Sequence, residues 1–218
     1  MGVVLLHSGI TDRRQWRREL EAWPFETSAP DLHEGFELRE PSILVGNSFG
    51  GRVALELAAL HPELVRGLVL VAPALPGHEG AAELDAVDER EEALYDAGDF
   101  EAAADLMVET WVPGASDEVQ AYVREAQLHA YTQPEPTWLP RLDPPVAARL
   151  ADVRVPVLLV DGELDQPHFH RIADRLEREL PDVRGRVTIA GAYHLPSLER
   201  PEAFDAAVLP FLRELLAR

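Results

Sequence analysis

The sequence predicts an α/β fold, in which a mostly parallel sheet of about six strands is flanked by helices and interrupted once by a helical insertion. Three observations carry this expectation. Short runs rich in Val, Leu and Ile recur at Val3 to Leu6, Ile43 to Val45, Leu68 to Val71, Val157 to Val160 and Val187 to Ile189, the pattern of strands buried on both faces. Helical spacings lie between or after them: Val53, Leu57 and Leu60; Ile172, Leu176 and Leu180; Phe204, Val208, Phe211 and Leu215. The stretch from Gly77 to about Pro145 breaks the alternation.

Taken in order, the first strand runs into the loop His7-Ser8-Gly9-Ile10-Thr11-Asp12. A weaker strand, about Phe25 to Ala29 before Pro30-Asp31, brings the sheet to six. Only 11 residues, Leu32 to Ser42, separate Asp31 from the strand at Ile43, and a parallel crossover needs about a dozen or more. A crossover helix cut to one or two turns around Phe36 to Arg39 is therefore expected. It would leave one sheet face thinly covered, a face that a homodimer would hide.

The interrupting stretch has apolar spacings for three helices: Leu84, Val87 and Leu94; Phe100, Met107 and Trp111; Val119, Val123 and Ala126. It reads as a helical cap over residues 77–145, with residues 1–76 and 146–218 forming the core. Five prolines between Pro134 and Pro145 make a stiff return to that core. The acidic run Glu83 to Glu92 reads as a solvated helix face.

Composition excludes several function classes. The formal charge of -19, from 39 acidic against 20 basic residues, repels phosphate backbones and anionic lipid, so neither nucleic acid nor membrane is an expected partner. Without cysteine there is no disulfide, thiol nucleophile or thiolate metal site. The first residues lack a basic region before their short apolar run, and no stretch approaches the roughly 20 apolar residues of a membrane span. A cytoplasmic protein acting on a small molecule is the simplest expectation.

The strongest local signal is Gly46-Asn47-Ser48-Phe49-Gly50-Gly51, between an apolar strand and a helical segment. G-x-S-x-G in that setting is a nucleophile elbow. The serine occupies a sharp turn with unfavourable backbone angles, and glycines two positions away remove the collisions side chains would make. The helix N-terminus supplies donors for a developing oxyanion, with the Phe49 N–H as one. A capping serine on a Gly-rich turn is the bland alternative.

A serine hydroxyl needs a neutral imidazole to take its proton, and the imidazole needs a carboxylate to fix its tautomer. Asp161-Gly162-Glu163-Leu164-Asp165 follows one strand, and Ala190-Gly191-Ala192-Tyr193-His194-Leu195-Pro196 follows the next. Asp165, beyond the turn that Gly162 permits, is the expected acid and His194 the base. Asp161 reads as a strand-end residue that holds the turn, and Glu163 as solvent-facing. The second oxyanion donor is expected from the first loop, at the N–H of Gly9, with Ile10 adjacent. His7 reads as a structural loop residue.

These motifs together resemble the α/β-hydrolase superfamily over nearly the whole chain, and the order Ser, Asp, His is the one that family uses. In finer detail, the segments Leu6 to Trp16 and Ala72 to Glu79 look like capped members described as 3-oxoadipate enol-lactonase-like. The resemblance implies an α/β-hydrolase fold with an N-terminally shortened sheet, because the chain starts at what would be the third strand. It implies no cofactor. It sets no substrate, since the superfamily turns one triad on esters, lactones, C–C bonds and epoxides.

The expected chemistry is serine hydrolysis of a small ester, lactone or related carbonyl substrate through an acyl-enzyme. C–C bond or enol-lactone hydrolysis on the same triad and a non-catalytic small-molecule receptor are the alternatives. Ile10, Met107, Trp111, Trp138 and Leu195, with Phe49, are the expected lining of an apolar pocket between cap and core. His168-Phe169-His170 lacks a third ligand at usual spacing and reads as surface rather than metal-binding. The arginines at 13, 14, 17 and 18 read as a basic helix face paired at the surface.

Overall fold

The structure is a computed structural model that describes residues 2–78, 82–133 and 142–217, without the side chains of residues 82 and 83. β1 (Val3–Leu6) leads through a 3-10 turn at Arg13–Trp16 into α1 (Arg17–Ala22). β2 (Thr27–Ser28), β3 (Ser42–Asn47), α2 (Phe49–Leu60) and β4 (Val65–Val71) follow. The insertion consists of α3 (Ala82–Asp96), α4 (Phe100–Trp111) and α5 (Asp117–Ala130). The chain then adds β5 (Val157–Gly162), α6 (Pro167–Glu179), β6 (Val183–Ile189), the single turn α7 (Pro196–Glu199) and α8 (Pro201–Leu216).

All six strands are parallel, in the order β2-β1-β3-β4-β5-β6. Side chains on a strand alternate between faces, and the alternation divides the core in two. Val4, Leu6, Leu44, Leu68, Leu70 and Leu159 pack with α2 and α6, while Val3, Leu5, Val45, Val69, Val71 and Val160 pack with Trp16, Trp23 and α8. A third cluster joins Ile10 and Leu195 of the core to Leu106, Met107, Val112 and Val123 of the insertion.

The strand order positions the site. From β1 the chain moves outward to β2, then returns past β1 to β3 and proceeds to the other edge. The loops leaving the C-terminal ends of β1 and β3 therefore diverge, and they open a crevice where α/β sheets place their ligands. His7 to Asp12 follow β1, and Ser48 follows β3.

The shortened crossover helix does not form. Residues 36–39 are neither helix nor strand, with Phe36 and Leu38 packed on the core while Glu37 and Arg39 pair in solvent. Their apolar spacing is two, a strand period rather than a helical one, and so few residues span the return past β1 more readily when extended. Phe36 and Leu38 themselves cover part of that sheet face. β6 is longer than its apolar run, its ladder to β5 starting at Val183, and Arg186 on it binds Asp161 of β5. Trp138 lies outside the described residues. Among the described residues, no helix is long and apolar enough to cross a membrane.

Candidate active site

Ser48 occupies the turn between β3 and α2 with φ 51 and ψ -110, left-handed backbone that disfavours a side chain. Its N–H donates to Val71 O at 2.8 Å, and its carbonyl accepts from Arg52 N and Ala74 N at 3.0 Å each. The flanking glycines are fixed by contact distances. A Cβ at residue 46 would lie 2.4 Å from Gly50 O, and one at residue 50 would lie 2.2 Å from Leu6 O. The second contact means Gly50 lets α2 press against the end of β1, beyond merely relieving the turn.

The two elements expected to supply oxyanion donors lie side by side. A Cβ built on Gly9 would stand 3.5 Å from Phe49 Cβ, so the loop after β1 and the first residue of α2 are in contact range. A buried network holds that loop. Gln15 Oε1 accepts from Ser8 N at 2.9 Å and from Thr11 Oγ1 at 2.7 Å, and Gln15 Nε2 donates to Asn47 Oδ1 at 2.8 Å.

The predicted base and acid meet directly. His194 Nδ1 lies 3.0 Å from each Asp165 carboxylate oxygen, and both residues are buried. A carboxylate on Nδ1 fixes the proton there in the neutral ring and leaves Nε2 free to accept one. Gly162 makes the meeting possible, because a Cβ there would be 1.9 Å from Tyr193 O. Its φ is not in the left-handed region, so its function is close approach of the two loops rather than reversal of the chain. Leu164 N donates to Ala192 O at 2.8 Å across the same junction.

The competing carboxylates are used elsewhere. Asp161 Oδ2 accepts from Arg186 Nε at 2.8 Å, and exposed Glu163 accepts from Gly191 N at 2.8 Å. His7, fully buried, accepts from Leu32 N at Nε2 (2.9 Å), so its proton is on Nδ1, which donates to Ser8 O at 2.8 Å. Its Nε2 also lies 3.5 Å from Asp31 Oδ1, which accepts from the His33 N–H at 3.0 Å. His7, Asp31 and His33 are close enough to suggest a metal, but both His7 nitrogens are already engaged. His168 is buried rather than on the surface, its ring 5.3 Å from that of His78.

The predicted pocket residues do not all present surface. Ile10, Met107 and Leu195 are buried together, with Trp111 packed against them and Phe49 against the neighbouring core cluster. Leu195 is 0% exposed, whereas Ser48, Phe49 and Trp111 are only partly buried and keep faces a substrate can touch. The Trp111 ring sits 4.6 Å from the His194 ring, and Phe169 sits 4.4 Å from it on another side. A separate groove of about 500 Å³ lies between α1 and α5, lined by Arg14, Arg17 and Tyr122 among others, and its lining excludes Ser48 and His194. Arg14 is paired with Asp12 and Glu125, and Arg18 with Asp205.

Three residues to which the sequence reading assigns no role surround the base. Asn47 Nδ2 donates to His194 O at 3.2 Å, Gln15 ties Asn47 to the first loop, and Glu199 accepts from the backbone on either side of His194. Only the position of Asn47 inside the elbow hints at this in the sequence. The other two depend on contacts between distant elements.

The sheet, the elbow on β3 and the facing loops after β5 and β6 define a class, and the family comparison agrees. The chain belongs to the alpha/beta hydrolase family, whose model matches residues 5–207, and it is a hydrolase of that fold. It is 30% identical over 212 residues to a pimeloyl-[acyl-carrier protein] methyl ester esterase of Neisseria meningitidis serogroup C, covering 88% of this chain and 77% of that protein. MenH from S. aureus superposes with a TM-score of 0.74 at 22% identity, over 99% of this chain and 94% of that one. Carboxylesterase CesB from Bacillus subtilis gives 0.75 at 21% identity, over 97% and 83%.

Proposed function

We propose that the protein hydrolyses a small carboxylic ester through an acyl-enzyme formed on Ser48. Ser48 Oγ attacks the carbonyl carbon while His194 Nε2 takes its proton. Asp165 stabilises the imidazolium, and the N–H groups of Phe49 and Gly9 stabilise the oxyanion. The tetrahedral intermediate collapses, the alcohol leaves with the proton from His194, and water repeats the sequence to release the acid. Ile10, Met107, Trp111 and Leu195 shape the acyl side, and residues 77–145 act as the cap over the remaining core.

The single observation that carries the reading is the paired contact of Asp165 with His194 Nδ1, on loops tied through Asn47 to the elbow. A small-molecule receptor has no need of a buried carboxylate that orients an imidazole. The ester class is supported by the methyl ester esterase relative. The enol-lactonase-like resemblance of residues 6–16 and 72–79 is the reason to include cyclic esters and ring-cleavage diketones among the assay substrates.

The test is covalent labelling with a fluorophosphonate, read by intact mass and peptide mapping. One adduct on Ser48, absent in Ser48→Ala and accompanied by aryl ester turnover, is the expected result. Folded protein that gains no mass and turns over no ester sinks the hydrolytic reading and favours the receptor. Elution volume at micromolar concentration tests the homodimer suggested by the short connection before β3.

A further inference from the structure

Glu199 lies five residues after His194, with its side chain buried at 8% exposure. Its Oε2 accepts from Tyr193 N–H at 2.9 Å and its Oε1 from Leu195 N–H at 2.8 Å. Those amides belong to the residues immediately before and after His194, so one carboxylate bridges the position of the base. The peptide groups of His194 itself are held from two other elements, its N–H donating to Trp111 O at 3.3 Å and its carbonyl accepting from Asn47 Nδ2. The backbone around this imidazole is thus fixed at four points.

We propose that Glu199 is a positioning residue for His194, fixing the backbone on both sides of the ring. The inference rests on the hydrolase reading of Ser48 and His194. Two features separate it from ordinary helix capping. Capping of α7 accounts for the Leu195 N–H, the N-cap amide of that helix, but not for the Tyr193 N–H, which precedes it. Only a side chain with two acceptor oxygens serves both amides, since a glutamine would turn one donor against another.

Burial pushes the Glu199 carboxyl above its ordinary value, while the Tyr193 and Leu195 amides, His194 and Arg200 pull it back. Burying a carboxylate is unfavourable by itself, and here the compensation comes from the base loop. The charged groups facing it are His194 from its own loop and Arg200 from the start of α8, with Asp165 beyond the imidazole.

The experiment compares wild type, Glu199→Gln and Glu199→Asp in the full chain. The measurements are the His194 imidazole ¹⁵N signals by NMR, kcat and KM on an aryl ester, and Tm. For Glu199→Gln the expected result is His194 ring signals displaced from their wild-type positions. Its kcat should fall roughly 10- to 100-fold with KM nearly unchanged, the scale of a misplaced reacting group. A lower Tm alone, with wild-type ring signals and kcat, overturns the proposal and leaves capping.

Glu199→Asp keeps the charge and both acceptors but withdraws them by one methylene. It should lose part of kcat, and an unchanged kcat counts against the proposal if Glu199→Gln does not fold. A wild type that turns over no ester sinks the hydrolase reading instead, and the ¹⁵N ring signals still decide whether Glu199 positions His194.

Discussion

Asn47 Nδ2 donates to the carbonyl of His194 at 3.2 Å, so the residue before the candidate nucleophile grips the residue of the candidate base. Asn47 is fully buried, and its Oδ1 receives Gln15 Nε2, whose Oε1 in turn holds Ser8 and Thr11 of the first loop. One chain of side-chain amides therefore spans the loop after β1, the elbow and the loop that carries His194. Such a network stiffens a site when every member is satisfied.

Gln15→Ala breaks that chain at its centre. It leaves the Ser8 N–H and Asn47 Oδ1 without their partners in a buried setting, and each such group costs about 1 to 3 kcal/mol. The variant should unfold at lower temperature. Because the loop carrying Gly9 loses its anchor, kcat on an aryl ester should fall at least about 10-fold with KM little changed. Steady-state kinetics at a temperature where both proteins are folded check this, and a wild-type kcat removes the oxyanion function from the loop.

The two aspartates at the end of β5 should separate by phenotype. Asp165→Asn replaces the acceptor on His194 Nδ1 with a group that tolerates the wrong tautomer, and in a serine triad this costs about 10⁴ in kcat while sparing the fold. Asp161→Asn instead weakens the buried contact with Arg186. It should lower thermal stability, with kcat within a few-fold of wild type. Reversed phenotypes in a paired kinetic and calorimetric measurement would assign the acid to Asp161.

The fold was legible wherever burial on both strand faces produced uninterrupted apolar runs, as at Ile43 to Val45 and Val157 to Val160. The elbow was legible because Gly46 is demanded by the Gly50 backbone and Gly50 by the end of β1, and both glycines stand beside Ser48 in one short motif. Residues 36–39 misled because two apolar residues cannot distinguish a helical turn from an extended strap, and only the path past β1 decides between them. Glu199 and Gln15 left no pattern, and Asn47 only its place in the elbow, since each acts through a partner on another element. The aspartates at 161 and 165 could be ranked from their place on the turn, but the Arg186 contact on the next strand is what occupies the first of them.

Glycine substitutions offer a test of close packing near the site. A Cβ at Gly162 would fall 1.9 Å from Tyr193 O, whereas at Gly185 of β6 it would meet only Leu158 Cδ1 at 3.7 Å. Gly162→Ala must push the Asp165 and His194 loops apart, and overpacking of this kind costs about 3 kcal/mol. It should also separate the acid from the base, so kcat should fall further than stability alone explains. Gly185→Ala should change stability by no more than about 1 kcal/mol. Chemical denaturation and ester kinetics on both variants check the contrast, and equal effects would mean that the junction yields.

Glu19 contributes a loss of stability as pH rises through the acid range. Both its oxygens are buried without a hydrogen bond, and its closest charge is Arg18 Nη1 at 3.6 Å. Burial raises its pKa from 4.5 to about 7, against the pull of Arg18 and with added repulsion from Asp205. The folded state therefore holds a proton that the unfolded chain has already released. This disfavours folding progressively as pH rises from about 4.5 to about 7, and the loss levels off above that window. Over those pKa values the linkage amounts to about 3 kcal/mol. In Glu19→Gln the group no longer titrates, so the stability of the variant relative to wild type should climb through that window and stay constant above it. Unfolding free energies measured from pH 4 to 9 check this, and parallel curves for the two proteins would show that Glu19 ionises in the folded state as readily as in water.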